Sequence, residues 1–217
     1  MTDPMDPVSP GFLLLAGHDR PVGWRRAAEL AITAAGSTLL ASVDAGQVEG
    51  LEAGSIPRSV VLSLWPSTEA AAATWNSIAL PEFEGLLALA GACAPDHGNA
   101  DFPGRAAAAA IAAPGPPAYM LIEGVVTAPE PIDRYRAIIF PMISAGGGYY
   151  LVYAHSKAVR LLAGDWSQQA LIISRWPNIA AARNFWFSDR YQNEAIPCRA
   201  GAGQFSVLLF AGLPGSP

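Results

Sequence analysis

The sequence predicts an α+β fold made twice over: two like units, each running strand, helix, strand pair, helix, strand, with their sheets packed on each other. Three observations predict it. First, SLWPSTEAAAATWNS (Ser63–Ser77) returns 111 positions later as SRWPNIAAARNFWFS (Ser174–Ser188), with seven of fifteen positions identical, both tryptophans and the Trp-Pro pair among them. Second, the likeness extends outward: GFLLLAG (Gly11–Gly17) aligns with AYMLIEG (Ala118–Gly124), and LEAGS (Leu51–Ser55) with LLAGD (Leu161–Asp165). An alanine-rich chain explains matching alanines, but not tryptophans, prolines and glycines matching in order. Third, SVVLSLW and QALIISRW are nearly continuous apolar runs, the pattern of strands covered on both faces.

Taken in order, the first unit (residues 10–104) opens with the strand at Gly11–Gly17, and Pro66 separates the strand SVVLSLW from a helix. Its last strand is expected to be missing or degraded, because CAPDHGNADFPG (93–104) has no β pattern. An Ala/Pro/Gly linker (105–115) leads to the second unit (116–214). There AYMLIEGVV (118–126) is β-prone, and Pro129 and Pro131 open a helix with Ile132, Tyr135, Ile139, Met142 and Ile143 at helical spacing. AGGG (145–148) stops that helix. YYLVYA and AVRLLAG suggest a strand pair, QALIISRW (169–176) is a strand broken by Pro177, a helix runs from about Asn178 to Gln192, and QFSVLLF (204–210) closes the unit. Two helices cover one face of such a sheet. The other face would expose more apolar surface than the few hundred Å² a monomer usually tolerates, so the two sheets should shut on each other with the helices outside.

Composition narrows the function classes. The net charge is −5 with scattered arginines, so the basic patch needed for nucleic acid is absent. The longest apolar run, Ala106–Ala113, is too short for a membrane span. The N-terminus, MTDPMDPVSPG, carries no secretory pattern, and a cytoplasmic location is expected. Cys93 and Cys198 lack metal-ligand spacing and read as free thiols. His155 and His97 read as turn and loop residues, and neither metal nor cofactor is expected.

In the second unit AYMLIEGVVT, DRY (133–135), AGGGYYL, LLAGDW (161–166), SRWPNIAAARNFWFSDRYQ and Arg199 resemble the bacterial family known as domain of unknown function 1330. The resemblance covers the first unit less closely. It implies two ferredoxin-like βαββαβ repeats whose antiparallel sheets form an intramolecular, pseudo-dimeric α+β barrel, a scaffold that usually pairs two chains. The wider superfamily includes quinol-forming monooxygenases, haem-degrading enzymes and isomerases. Polar positions typical of the family are apolar or aromatic at Ala128, Tyr149 and Ala163.

Glu123 is the sharpest candidate for chemistry. With Tyr119, Leu121 and Val125 it shares one face of a strand, where an unpaired carboxylate is costly. It reads either as a general acid/base or ligand anchor, or as a structural carboxylate paired with Arg175 or Arg199. Its counterpart in the first unit is Ala16, so any such site is single. His18, on the same face of the first strand as Ala16, is a second catalytic candidate or a loop-side residue. Tyr135, Trp166, Arg175, Trp176, Ser188, Tyr191 and Arg199 are candidates for a ligand pocket; for Trp176 the alternative is core packing, and for Ser188 it is helix-end hydrogen bonding. Two readings follow. One is a protein binding, or an enzyme acting on, an apolar or aromatic metabolite, with Glu123 as acid/base or anchor. The other is a non-catalytic assembly module on the same scaffold. Internal pairing predicts a monomer or a weak homodimer.

Overall fold

The computed structural model describes residues 9–17, 23–77, 85–95, 102–111 and 113–216. The first half runs β1 (Gly11–Gly17), α1 (Trp24–Ala34), β2 (Thr38–Val43), β3 (Glu49–Gly50), β4 (Ser59–Trp65), α2 (Thr68–Ser77) and β5 (Leu87–Ala92). The second half runs β6 (Ala118–Val126), α3 (Pro129–Ala145), β7 (Tyr149–His155), β8 (Val159–Ala163), β9 (Ala170–Trp176), α4 (Ile179–Trp186), a π-helical turn (Tyr191–Ala195), α5 (Ile196–Arg199) and β10 (Gly203–Ala211).

The repeated segment makes the same bonds in both halves. Trp65 and Trp176 each donate their indole N–H to the serine two residues before, Ser63 and Ser174, at 2.9 Å. Pro66 and Pro177 then end β4 and β9, because proline has no N–H for the ladder. Ser67 accepts the N–H of Ala70 at 3.2 Å, and Asn178 that of Ala181 at 2.9 Å, so each side chain caps the helix that follows. The preceding helices also end alike. Gly36 (φ 73°) and Gly147 (φ 71°) take the left-handed conformation, and the next residue, Ser37 or Gly148, donates back to Ile32 or Ile143.

The strands form two five-stranded antiparallel sheets, in the orders β2-β4-β1-β5-β8 and β3-β10-β6-β9-β7. Their inner faces meet: Phe12, Leu14, Val60, Leu62 and Leu89 of one pack with Tyr119, Leu121, Ile173, Leu208 and Phe210 of the other, all fully buried or nearly so. α1 and α2 cover the outer face of the first sheet, while α3, α4 and the π-turn cover that of the second. The expected closure of the two sheets is the observed one. β4 is therefore buried on both faces almost throughout, and β9 over much of its length, which accounts for their largely apolar sequences.

Three expectations are corrected. The first unit's closing strand is present: β5 pairs with β1 from Gly11↔Ala92 to Ala16↔Leu87, and it lies upstream of the segment judged to lack a β pattern. YYLVYA and AVRLLAG are not a local pair, because β8 crosses to the other sheet and pairs with β5, as β3 crosses to pair with β10. Each half thus lends a short arm to its neighbour. The single helix expected over 178–192 breaks after Trp186, where Ser188 Oγ donates to Phe185 O (2.8 Å) and accepts from Tyr191 N (3.2 Å), restarting the helical chain as a π-turn.

Because both halves share one core, Leu121→Ala should lower stability by about 2–5 kcal/mol and leave a single denaturant transition. Fluorescence and circular dichroism giving two separate transitions would contradict a shared core.

Candidate functional site

The paired carboxylate Glu123 sits at one end of the space between the sheets, 6% exposed, between Ser206 of β10 and Leu171 of β9. Its Oε2 forms an ion pair with Arg58, just before β4, and its Oε1 accepts the indole N–H of Trp166 at 2.8 Å. Neither Arg175 nor Arg199 is its partner. Both carboxylate oxygens are engaged, and the side chain holds an arginine of the first half and a tryptophan of the second half's β8–β9 loop. This is the arginine-paired arrangement that the sequence offered as the alternative for Glu123, with Arg58 as the partner; it clamps the two halves together on the opposite face of β6 from the cleft described next.

That cleft lies between α3 and the outer face of the second sheet, with a volume of about 60 Å³. Helical spacing turns Ile132, Tyr135, Arg136 and Ile139 of α3 toward it, and Ile122, Ile172 and Phe205 from the strands form much of the opposite wall. Arg199, at the end of α5, lines this cleft and also a wider polar recess of about 490 Å³ bordered by Glu52, Gly54 and Gln204. Phe205 stands at the same boundary.

Arg199 is only 4% exposed, and its guanidinium lies 4.9 Å from the ring centre of Phe205, 5.7 Å from Tyr135 and 5.8 Å from Trp186. Its Nη2 is paired with Glu52, carried on the first half's arm, while no protein acceptor reaches the buried Nη1. Burial alone disfavours the charge, but the Glu52 carboxylate favours it through an ion pair and a hydrogen bond; the pKa is raised, and Arg199 stays a cation. Behind it the hydroxyls of Tyr135 and Tyr191 share a hydrogen bond of 2.9 Å. Arg136 also has a buried Nε without an acceptor; its Nη1 donates to Asp133 at 2.8 Å, and its guanidinium lies 5.7 Å from the Tyr153 ring centre.

Of the residues singled out from sequence, Tyr135 and Arg199 line the cleft and Tyr191 stands directly behind them. Trp176 is core, stacked on Phe185 at 4.8 Å. Ser188 serves the helix restart. Arg175 lies elsewhere, 5.7 Å from the ring centre of Tyr149, and donates to Ser216 O at 3.3 Å. His18 and His97 lie outside the described residues, while exposed His155 borders the cleft at the end of β7. Sequence reasoning missed Arg136, Glu52, Tyr150, Tyr153 and Phe205. Arg136 could have been found from its spacing with Ile132 and Ile139, and Glu52 from the repeat alignment, which sets it opposite Leu162. Among the described residues no three His, Cys, Asp or Glu side chains group as a metal site, and no helix is long and apolar enough to cross a membrane.

The architecture is that of the ferredoxin-like α+β barrels. The family model described as Domain of unknown function (DUF1330) matches residues 117–213. Similar solved structures include a chlorite dismutase from Candidatus Nitrospira defluvii in complex with imidazole (10% identity, 94% of this chain and 91% of that chain, TM-score 0.51). A monooxygenase-like protein of Fusobacterium nucleatum subsp. nucleatum is similar at 10% identity, covering 95% and 97% of the two chains with a TM-score of 0.51. An anthrone oxidase-like protein is similar at 15% identity, covering 96% and 92%, with a TM-score of 0.50. At such identities the fold is what is shared. No curated protein sequence matches the chain.

Two outcomes follow from this geometry. Arg58→Met, which strands the Glu123 carboxylate, should destabilise by about 1–3 kcal/mol, less than a fully buried pair because Arg58 is partly exposed. Adding Glu123→Leu should recover part of that loss in urea unfolding, and strictly additive losses would refute the clamp. Burial raises the phenol pKa of Tyr119, Tyr135, Tyr150, Tyr153 and Tyr191, most strongly for Tyr150 and Tyr191. A folded pKa above the unfolded value of 10.0 means the native state holds protons the unfolded state has released, so stability is retained below pH 10 and falls above it. Tyrosinate absorbance should therefore rise together with unfolding; all phenols titrating near pH 10 in the folded protein would contradict this.

Proposed function

We propose that the chain is a small-molecule-binding protein that takes an apolar or aromatic compound in the cleft between α3 and the second sheet. The observation that carries this reading is Arg199: a buried cation with an N–H that no protein acceptor reaches, set in the wall of an otherwise apolar cleft. A buried donor without a partner costs about 1–3 kcal/mol, and a ligand oxygen in the cleft would remove that cost. Apolar walls with a few convergent polar groups are the usual make-up of ligand sites. Tyr135 and Arg199 hold the polar end of the compound, while Ile122, Ile139 and Ile172 hold the apolar end.

The chain is further a tandem duplication, residues 10–104 and 116–214 joined by 105–115, in which one polypeptide supplies the pairing that single-unit relatives obtain from two chains. The recurring Ser-x-Trp-Pro bonds, the matched helix ends and the reciprocal arms support this reading.

A thermal-shift screen of apolar and aromatic metabolites tests the site, using protein that light scattering should report as a single 22.7 kDa chain or a weakly associated pair. Compounds that stabilise the wild type should lose their effect on Ala170→Leu, which adds bulk at the cleft wall. Stabilisation that survives this substitution would place binding elsewhere.

A further inference from the structure

Two arginines reach the same cleft, and each has one buried N–H without an acceptor: Nη1 of Arg199 and Nε of Arg136. We propose that together they recognise the carboxylate of a small apolar acid. This rests on the reading that the cleft binds a ligand, and deepens it by naming the ligand's class.

Both donors belong to guanidinium groups, which remain cationic at any working pH. The carboxylates that balance them, Glu52 and Asp133, stand on the solvent side, their side chains 30% and 71% exposed, so water screens much of their charge. The buried tyrosines around the cleft have raised pKa values and stay neutral, so they supply no anion. The cleft wall itself thus carries two guanidinium groups and no carboxylate, with two N–H donors among isoleucines. A neutral carbonyl would satisfy a donor but leave the charge. A carboxylate satisfies both donors through two oxygens, in bonds about twice as strong as neutral ones. A cavity of about 60 Å³ has room for roughly two water molecules, which matches the two oxygens of a carboxylate and leaves the rest of the acid to run outward. A longer or aromatic acid would extend past Phe205 into the outer recess. Because Glu52 engages Nη2 of Arg199 and not Nη1, the acid joins this ion pair without displacing it.

The test compares acids with their amides by calorimetry: butyrate against butyramide, and benzoate against benzamide. The acid should bind the wild type at least about tenfold more tightly than the amide, as expected for charge-assisted bonds. Arg136→Gln and Arg199→Lys should each lower acid affinity about tenfold and leave amide affinity nearly unchanged. Arg136 lies on the accessible flank of α3, so its variant remains informative should the buried Arg199 variant fail to fold. Glu52→Gln should strengthen the acid severalfold and leave the amide as it was. Equal affinity of acid and amide for the wild type would overturn the carboxylate proposal while leaving the cleft reading intact, with water satisfying the two donors. Binding of neither acid nor amide, in wild type or variants, would overturn both.

Discussion

The fold depends on one contact: the apolar inner faces of two five-stranded sheets closing on each other. Each sheet has two helices' worth of cover for a single face, and leaving the other face wet would expose apolar surface that no small soluble domain retains. Phe12 and Leu14 of β1 meet Tyr119 and Leu121 of β6 in one shared core, so neither half has a complete interior alone. The exchanged arms follow from that closure. Once the sheets lie face to face, the segment after β2 or β7 is carried to the rim of the opposite sheet, where β10 and β5 offer unpaired edges. Main-chain bonds close the remaining gaps, Leu213 N to Leu40 O and Ala94 N to Leu151 O, each at 2.8 Å.

The same exchange makes the cleft a joint product of both halves. Its walls belong to the second half, but the carboxylate that steadies Arg199 arrives on the first half's arm. Glu52 lies next to Leu51, whose N–H donates to Val207 O at 2.9 Å, so its backbone is fixed by the sheet it visits. Arg183 of α4 meets Glu49 at 3.0 Å along the same arm. A change in how the sheets pack would therefore reach the Arg199 guanidinium through the arm.

Local sequence was a good guide wherever structure is set locally. The strands at Gly11–Gly17 and Ala118–Val126, and the helix from Pro129 to Ala145, fall where β-prone runs, an N-terminal proline and the glycine stop place them. What failed was non-local. β5 is mostly leucine, alanine and glycine (LALAGA), which has no β-branched signature, and it is a strand because β1 and β8 flank it. The partner of β8 could not be read from β8, since edge pairing is decided across the barrel. Glu123 illustrates the same limit: its face of the strand was legible, but Arg58 lies 65 positions away and carries no local sign of its role. Tyr135 and Arg199, both candidates from sequence, border the cleft; Arg136 borders it too, although a charge within an amphipathic helix ordinarily faces water.

The two halves are alike in frame and unlike in content, and the difference bears on how a site arises. Over the first sheet, the eleven-residue α1 seats Trp24, Ala28 and Ile32 directly against Leu13, Leu15, Val61 and Trp65. Over the second, the seventeen-residue α3 brings Tyr135 and Arg136 among its isoleucines, and a cleft remains. The arms differ in the same sense: Leu162, the counterpart of Glu52, packs with the first half's apolar core. In a symmetric dimer of identical chains any substitution appears at both interfaces at once, so a glutamate chosen to steady a buried arginine at one site would also replace the leucine that packs on an apolar core at the other. Joining the halves in one chain removes that constraint. A carboxylate can then stand opposite Arg199 while leucine stays where only apolar contact is wanted, and a buried cation that would be costly in two places is supported in one.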